Sequence, residues 1–466
     1  MAPGPRERDK EALTLITSSM ANLFTRLRWS AFTAWHIRLE SSLPYWPLER
    51  VRARQSARVR KMVSFAWREV PFYREAMVAA RLRPEDIRTA DDLALLPLIG
   101  KGDVTSNPER FSPARGNLSI LRLQSSGTTG RARYLDYEAA ALFLSLAHGH
   151  RQRLALASTL GQTGGYREAV VARPEGVTKQ MRQFFETHSW VPSRLELRRI
   201  TVSPAEAFSQ ILNRLEEFRP DVVVGYGAHL GAFYRWVSRQ NAAGHLPKAI
   251  IYGADRMADA DRALIEQQLG IPVFSFYQAV ESLRIAFQCE VRQGLHLALD
   301  QVAVRVIDRS GRNLGPGETG EIVISNLTNR ATVLLNYRLG DLVTLGRGAC
   351  PCGRSLPTLE RVEGRADDLV LLPDGSSIHA LSFLQGLQAV PGVVQVQLVQ
   401  EELRRFLIRV VCSEGADWSL VPARLSESFL SSVGKDTALR IERVPQILPE
   451  PSGKVRAVIS QCRGGQ

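Results

Sequence analysis

Along this chain, stretches whose apolar residues recur every three to four positions give way to stretches in which they cluster or alternate. Residues 26–100 follow the helical spacing, most plainly in Val59-Arg-Lys-Met-Val-Ser-Phe-Ala-Trp67, and Pro71 is predicted to stop that helix. A strand-like run over 118–124 comes next, and 138–157 returns to the helical pattern through Leu142, Leu144, Leu146 and Leu154. Short apolar strands are predicted at 221–225, 249–252 and 272–276, separated by helical patterns, which implies a largely parallel, helix-covered sheet. Residues 295–307 and 320–325 alternate like half-buried antiparallel strands, with Gly315, Gly317 and Gly320 marking the turn between them. The last part predicts a small α+β unit: a hairpin of 393–400 with 405–411, a helix over 420–433 and a strand over 438–444.

Size and charge sharpen this picture. A chain of 466 residues exceeds one ordinary core and fits two domains. The expected division is a helical segment (1–110) and a binding core (111–366) forming the large domain, with a small domain over 367–466. The fold class is α/β, with helix-covered sheets in the large domain. A hydrophobic content of 44% with 23% charged residues is ordinary for a soluble globular protein. The net charge of +13 comes almost wholly from arginine, since only seven lysines are present. No basic run is interleaved with aromatics and no nucleic-acid module is visible, so no nucleic-acid partner is expected. The apolar piece over 12–24 is too short and polar to span a bilayer, and no cleavage pattern follows, so a cytoplasmic protein is expected. Five cysteines are an odd number, and a disulfide framework is not expected.

Three stretches carry chemistry in their own residues. Ser125-Ser126-Gly127-Thr128-Thr129-Gly130 ends a strand with flexible and hydroxylated residues and no acid, a cradle whose N–H and hydroxyl groups suit an anion. No lysine follows the last glycine; Arg131, Ala132 and Arg133 do, which separates this loop from the GxxxxGK[ST] type. Strand-end segments Gly225-Tyr226-Gly227, Gly253-Ala254-Asp255 and Tyr277-Gln278-Ala279-Val280-Glu281 lie where ligands of parallel sheets bind. A carboxylate such as Glu281 facing a triphosphate needs a hard cation between them, so Mg²⁺ is expected there. Third, Cys289 and His296 with Cys350 and Cys352 supply four ligands, enough for a tetrahedral structural Zn²⁺. Tyr226, His229 and Phe233 are candidates for a pocket wall, with helix packing the other explanation.

In order, SSGTTG at 125–130, the Tyr277 to Glu281 segment, Tyr337-Arg-Leu-Gly-Asp341, Glu363-Gly-Arg-Ala-Asp-Asp368 and the Gly453-Lys454-Val-Arg456 tail resemble the motifs of the adenylate-forming superfamily. Pro71-Phe-Tyr-Arg74 and Leu96-Pro97 with Lys101 are similar to the phenylacetate-CoA ligase branch. The resemblance spans about residues 59 to 456. It implies ATP-dependent activation of a carboxylic acid as the acyl-adenylate, release of pyrophosphate and transfer to coenzyme A. It also implies roles: loop 125–130 for the phosphates, Gly253, Ala254, Tyr277 and Gln278 around the adenine, and Glu281 for Mg²⁺. Asp341 would take the ribose hydroxyls, Arg365 the nucleotide, Lys454 the reacting charge, and Asp367 would be the hinge of a mobile small domain. Here Gln278 stands for the family's glycine and Val280 for its hydroxyl, and Leu371 to His379 replaces a glycine-containing segment. Adenylyl transfer, amide synthesis from the adenylate, and a weakened nucleotide-binding homologue therefore stand as alternatives. The acid and the oligomeric state, a dimer among the options, stay open.

Overall fold

The computed structural model describes residues 5–116, 118–125, 133–191, 198–240, 244–366, 369–374, 376–379, 381–413, 415–434, 436–447 and 456–462. Four helices open the chain: α1 (Pro5–Ser42), α2 (Leu48–Glu69), α3 (Pro71–Ala79) and α4 (Lys101–Ser106). Helix α2 buries Val51, Gln55, Val59, Met62, Val63 and Ala66, a three-to-four spacing that gives one apolar stripe. The stop expected at Pro71 is found, since α2 ends at Glu69, and the same proline opens α3, because at the first helical turn its missing N–H leaves no bond unmade. The helical reading of 26–100 also breaks up after Ala79 into 3₁₀ turns around Pro84 and Asp91.

Strands β1 (Leu121–Ser125) and β2 (Arg133–Tyr137) pair antiparallel, with Ser125 opposite Arg133, so the loop between them leaves and returns at one point. Helix α5 (Ala139–Leu160) follows, then β3 (Arg167–Val171), α6 (Val177–His188), β4 (Arg198–Val202), α7 (Phe208–Phe218), β5 (Val222–Tyr226), α8 (Gly227–Arg239), β6 (Ala249–Gly253), α9 (Asp259–Ala263) and β7 (Val273–Ala279). The order β4-β3-β5-β6-β7 is parallel throughout, as the strand–helix alternation predicts.

From β7 the same sheet continues antiparallel through β8 (Leu283–Phe287), β9 (Leu295–Leu297), β13 (Thr358–Arg365), β12 (Tyr337–Leu345), β11 (Thr319–Asn326) and β10 (Val302–Ile307), eleven strands among the described residues. Two expectations change here. The run 295–307 is two strands, divided by a turn in which Gln301 N–H donates to Ala298 O at 2.8 Å. Residues 322–326 are all buried rather than alternating, because both faces of β11 are covered.

The C-terminal part has a core of its own. A small hairpin, β14 (Leu369–Leu371) with β15 (Ser377–His379), precedes α10 (Leu381–Ala389), β16 (Val393–Glu402), β17 (Arg405–Cys412), α11 (Val421–Val433), β18 (Ala438–Arg443) and β19 (Val458–Ser460). Four strands in the order β18-β17-β16-β19 pack Val396, Leu398, Phe406 and Ile408 against Phe383, Leu425 and Phe429 of the two helices. Arg235 and Arg239 of α8 donate to the Val394 and Val393 carbonyls of β16, tying this unit to the large sheet.

Candidate active site

Gly340 sits at φ 81°, a left-handed conformation that costs glycine nothing, and a Cβ there would come within 2.9 Å of the Arg365 guanidinium. This bend lets β12 present Asp341 directly opposite Arg365 of β13. Arg365 donates to Asp341 Oδ1 at 3.1 Å and to Leu339 O at 3.1 Å, while the Tyr277 hydroxyl donates to Asp341 Oδ2 at 2.6 Å. Both carboxylate oxygens are therefore fixed by neighbouring groups. Burial, and then the Asp341 charge, hold the Tyr277 phenol far above its ordinary range, so it acts here as a donor. Tyr277, predicted to stack on a base, is a buried side chain whose hydroxyl is committed to Asp341; Gln278 beside it is exposed.

Four residues beyond Tyr277, Glu281 turns into the interior and forms an ion pair with Arg133, the first residue of β2. Both side chains are nearly enclosed, at 5% and 10% exposure, so the charges must meet each other rather than water. Arg133 also donates to the Tyr337 hydroxyl, and its guanidinium lies 5.6 Å from that ring's centre. The turn is held from behind: Asn326 Nδ2 donates to Glu281 O at 3.1 Å, and the Tyr137 hydroxyl donates to Val280 O. Tyr337 heads the strand that carries Asp341, so the Glu281 cluster and the Asp341 cluster share one strand.

At the parallel strand ends, close packing demands small residues. A Cβ on Gly253 would meet the Phe276 ring at 2.4 Å, and one on Gly227 would meet Met257 N at 2.6 Å. Ala254 adopts φ 69°, and Asp255 accepts from Ala228 N–H at 3.3 Å, joining two strand-end loops. His229 and Phe233 lie on the buried face of α8, with Phe208 of α7 at 5.5 and 5.7 Å ring separation, which is helix packing.

The Cys/His group assembles from three segments. Cys289 follows β8, His296 lies in β9, and Cys350 and Cys352 belong to the turn between β12 and β13; their ligand atoms all lie within 4.8 Å of one another. Cys289 Sγ is 3.7 Å from Cys350 Sγ, and His296 Nε2 is 3.3 Å from Cys352 Sγ. Ligands of a tetrahedral zinc, bound at about 2.0–2.3 Å, stand at such separations. His296 Nδ1 lies 3.1 Å from Leu356 O, a bond that orients the ring with Nε2 toward the sulfurs. Burial pushes the Cys289 thiol up to about 12, with the neighbouring sulfurs adding to it, and a bound cation would reverse that.

Of the residues singled out in the sequence, Tyr277, Glu281, Asp341 and Arg365 come together, and Ser125 ends β1 where the loop departs. Ser126 to Gly130, Asp367 and Lys454 lie outside the described residues. Sequence reasoning missed Arg133, Tyr337, Tyr137 and Asn326 as parts of the cluster. The only signal for Arg133 is a basic residue leading the strand after the loop, and direction along a strand cannot be read from residue type.

Residues 370–461 match the family model of the CapK C-terminal domain. Phenylacetate-coenzyme A ligase of Thermus thermophilus is 28% identical over 84% of this chain and 85% of that protein. Protein CapK of Staphylococcus aureus is 22% identical, covering 88% of this chain and 89% of that one. Among solved structures, 2-hydroxyisobutyryl-CoA ligase in its postadenylation state superposes with a TM-score of 0.69 at 18% identity, over 90% of this chain and 91% of that chain. Along most of its length the chain is thus similar to phenylacetate-coenzyme A ligases and to protein CapK, and its fold is that of 2-hydroxyisobutyryl-CoA ligase.

Proposed function

We propose that this protein activates a carboxylic acid with ATP, forming the acyl-adenylate and pyrophosphate, and passes the acyl group to coenzyme A. The observation that carries this reading is Asp341, an acceptor-only group fixed by Tyr277 and Arg365 beside the paired Glu281 and Arg133. Relatives along most of the chain are named as phenylacetate-CoA ligases, and a structural neighbour, 2-hydroxyisobutyryl-CoA ligase, is recorded with an acyl adenylate and coenzyme A.

In the reaction the acid carboxylate attacks the α-phosphorus, and the P–O bond to pyrophosphate breaks. Positioning and charge neutralisation supply the acceleration, since no proton need be moved. Asp341 anchors the ribose, Arg365 the nucleotide, and the loop at 125–130 the β- and γ-phosphates. Lys454, a compact charge, meets the developing negative charge. Glu281 would hold Mg²⁺ together with phosphate oxygens, the usual supply of one carboxylate plus substrate oxygens for that ion, which neutralises the leaving group. Cys289, His296, Cys350 and Cys352 would hold Zn²⁺ as a structural clip. A second reading, transfer of the adenylate to an amine or hydroxyl, is favoured by Leu371 to His379 standing in place of the branch's glycine-containing segment.

Acid-dependent exchange of labelled pyrophosphate into ATP tests the first half, and thioester formation with coenzyme A tests the second. Exchange that Lys454→Ala abolishes while nucleotide binding persists supports the reading; no exchange with any aryl or fatty acid, despite nucleotide binding, would replace it with a binding role.

A further inference from the structure

On the face of the sheet covered by α5, the interior is unusually polar. Arg284 of β8 lays its guanidinium across that helix, donating from Nε to Ser145 O at 3.0 Å. Gly149 is what admits it, since a Cβ there would stand 2.8 Å from the Arg284 guanidinium nitrogen. Neither Arg284 nor its neighbour Arg153 has an ion-pair partner among the described residues, and Nε and one NH₂ of Arg153 are buried without a hydrogen bond. Nearby on the same helix, Gln152 is 7% exposed with both amide atoms unpartnered, and His148 is 2% exposed with both ring nitrogens unpartnered. Of the carboxylates near this group, Glu168 is paired with Arg199 and Asp300 with Arg151. Burial pulls the Arg284 guanidinium down to about 10, and Arg153 adds to that.

Interiors pair their polar atoms, and a cation left without an anion costs more than a hydrogen bond recovers. Here two guanidinium groups stand close enough to repel, Gln152 adjoins Arg153 on the same helix, and no carboxylate pairs with either arginine among the described residues. Their position gives the reason. Arg284 follows Glu281 by three residues and stands opposite Gln278 in the β7–β8 pairing, so at most about 10 Å of chain separates it from the reacting end of the site. A guanidinium matches a carboxylate in a two-pronged geometry, which an alcohol or an alkyl end does not exploit.

We propose that Arg284, with Arg153 and Gln152, forms a subsite for a second carboxylate on the acid, so that the protein activates dicarboxylic acids in preference to monocarboxylic ones. This rests on the acid-activation reading above. The far carboxylate takes the place of the Ser145 carbonyl on Arg284 and accepts from the Gln152 amide, while the near carboxylate stays beside Glu281 and Asp341 to attack the nucleotide. His148, which burial and Arg151 hold below its ordinary pKa, lies on the same helix.

The test is pyrophosphate exchange with matched acids, phenylacetate against 4-carboxyphenylacetate and hexanoate against adipate, accompanied by calorimetric titration of each acid. The wild-type protein is expected to favour the dicarboxylate at least tenfold in kcat/KM. Arg284→Met is expected to lose or invert that ratio while keeping exchange with the monoacid, and Arg284→Lys to restore part of it. A merely structural Arg284 would lower both acids alike and leave the ratio unmoved, which overturns the proposal, as does a wild-type protein that favours the monoacids. If no acid supports exchange but dicarboxylates still bind and Arg284→Met abolishes that binding, acid activation falls and the subsite stands; absence of both exchange and binding overturns the two together.

Discussion

At the scale of single residues, the site depends on charges that satisfy one another before any substrate arrives. Asp341 accepts from Tyr277 and Arg365, so its orientation is set, and its remaining lone pairs are what the proposed function would offer a ribose. Asp341→Asn keeps the shape but puts a donor where only acceptors fit, and exchange is expected to fall by about 100-fold or more, on the order of 3 kcal/mol. The drop should appear in kcat/KM for ATP. Arg133 and Glu281 make a different prediction because both are enclosed. Removing one partner leaves the other buried and unpaired, so Arg133→Ala is expected to cost about 3–5 kcal/mol in denaturant unfolding. Arg133→Ala with Glu281→Gln should recover much of that loss, and strict additivity of the two substitutions would show that the pair is not coupled.

At the scale of elements, separate segments are clipped together by polar groups in their interior. The Cys/His group fastens the turn between β12 and β13 to the ends of β8 and β9. Cys350→Ser with Cys352→Ser is expected to remove about one equivalent of zinc from the purified protein and to lower its Tm; atomic absorption and calorimetry read both. Helix α1 is fastened to α5 in another way. Glu40, 1% exposed, meets Arg151, which also holds Asp300, with Arg58 and His148 close by. Burial raises Glu40 from 4.5 to about 7, Arg151 opposes that, and the like charge of Asp300 adds to it. The folded chain thus keeps a proton that the unfolded chain releases above 4.5. This contribution is complete below 4.5 and is lost as pH rises through about 7. Its size is at most about 3 kcal/mol. Stability measured from pH 5 to 8 should decline, and Glu40→Gln should flatten that decline; an unchanged slope would place the titration elsewhere.

At the scale of the whole molecule, the C-terminal part has an apolar core of its own and is tied to the large sheet by backbone-directed arginines. Arg235, held by Asp261, and Arg239 reach from α8 to the backbone of β16. Arg235→Ala is expected to loosen this contact and to raise the radius of gyration in solution scattering, with the isolated C-terminal fold unaffected because its apolar core lies within 370–458. Among the described residues, no helix is long and apolar enough to cross a membrane. Parallel and antiparallel halves of one sheet, joined at β7, place the Tyr277 to Glu281 segment at the seam, where strand direction changes.

Local pattern was enough to determine much of this. Short apolar strands between helical stretches specified the parallel half, because a strand covered on both faces has little choice of residues, and the order of SSGTTG, YRLGD and EGRADD supplied the resemblance on which the proposed nucleotide site rests. The division of 295–307 and the complete burial of 322–326 were not legible, since a turn of Asp300 and Gln301 is polar like any strand's outer face and coverage by segments distant in the chain leaves no local trace. Only the tertiary structure brought Arg133 onto Glu281, 148 residues apart, and laid Arg284 across Gly149. Pairing between charges is a matter of distance in space, and residue type along the chain fixes which groups need partners without fixing which partners they meet.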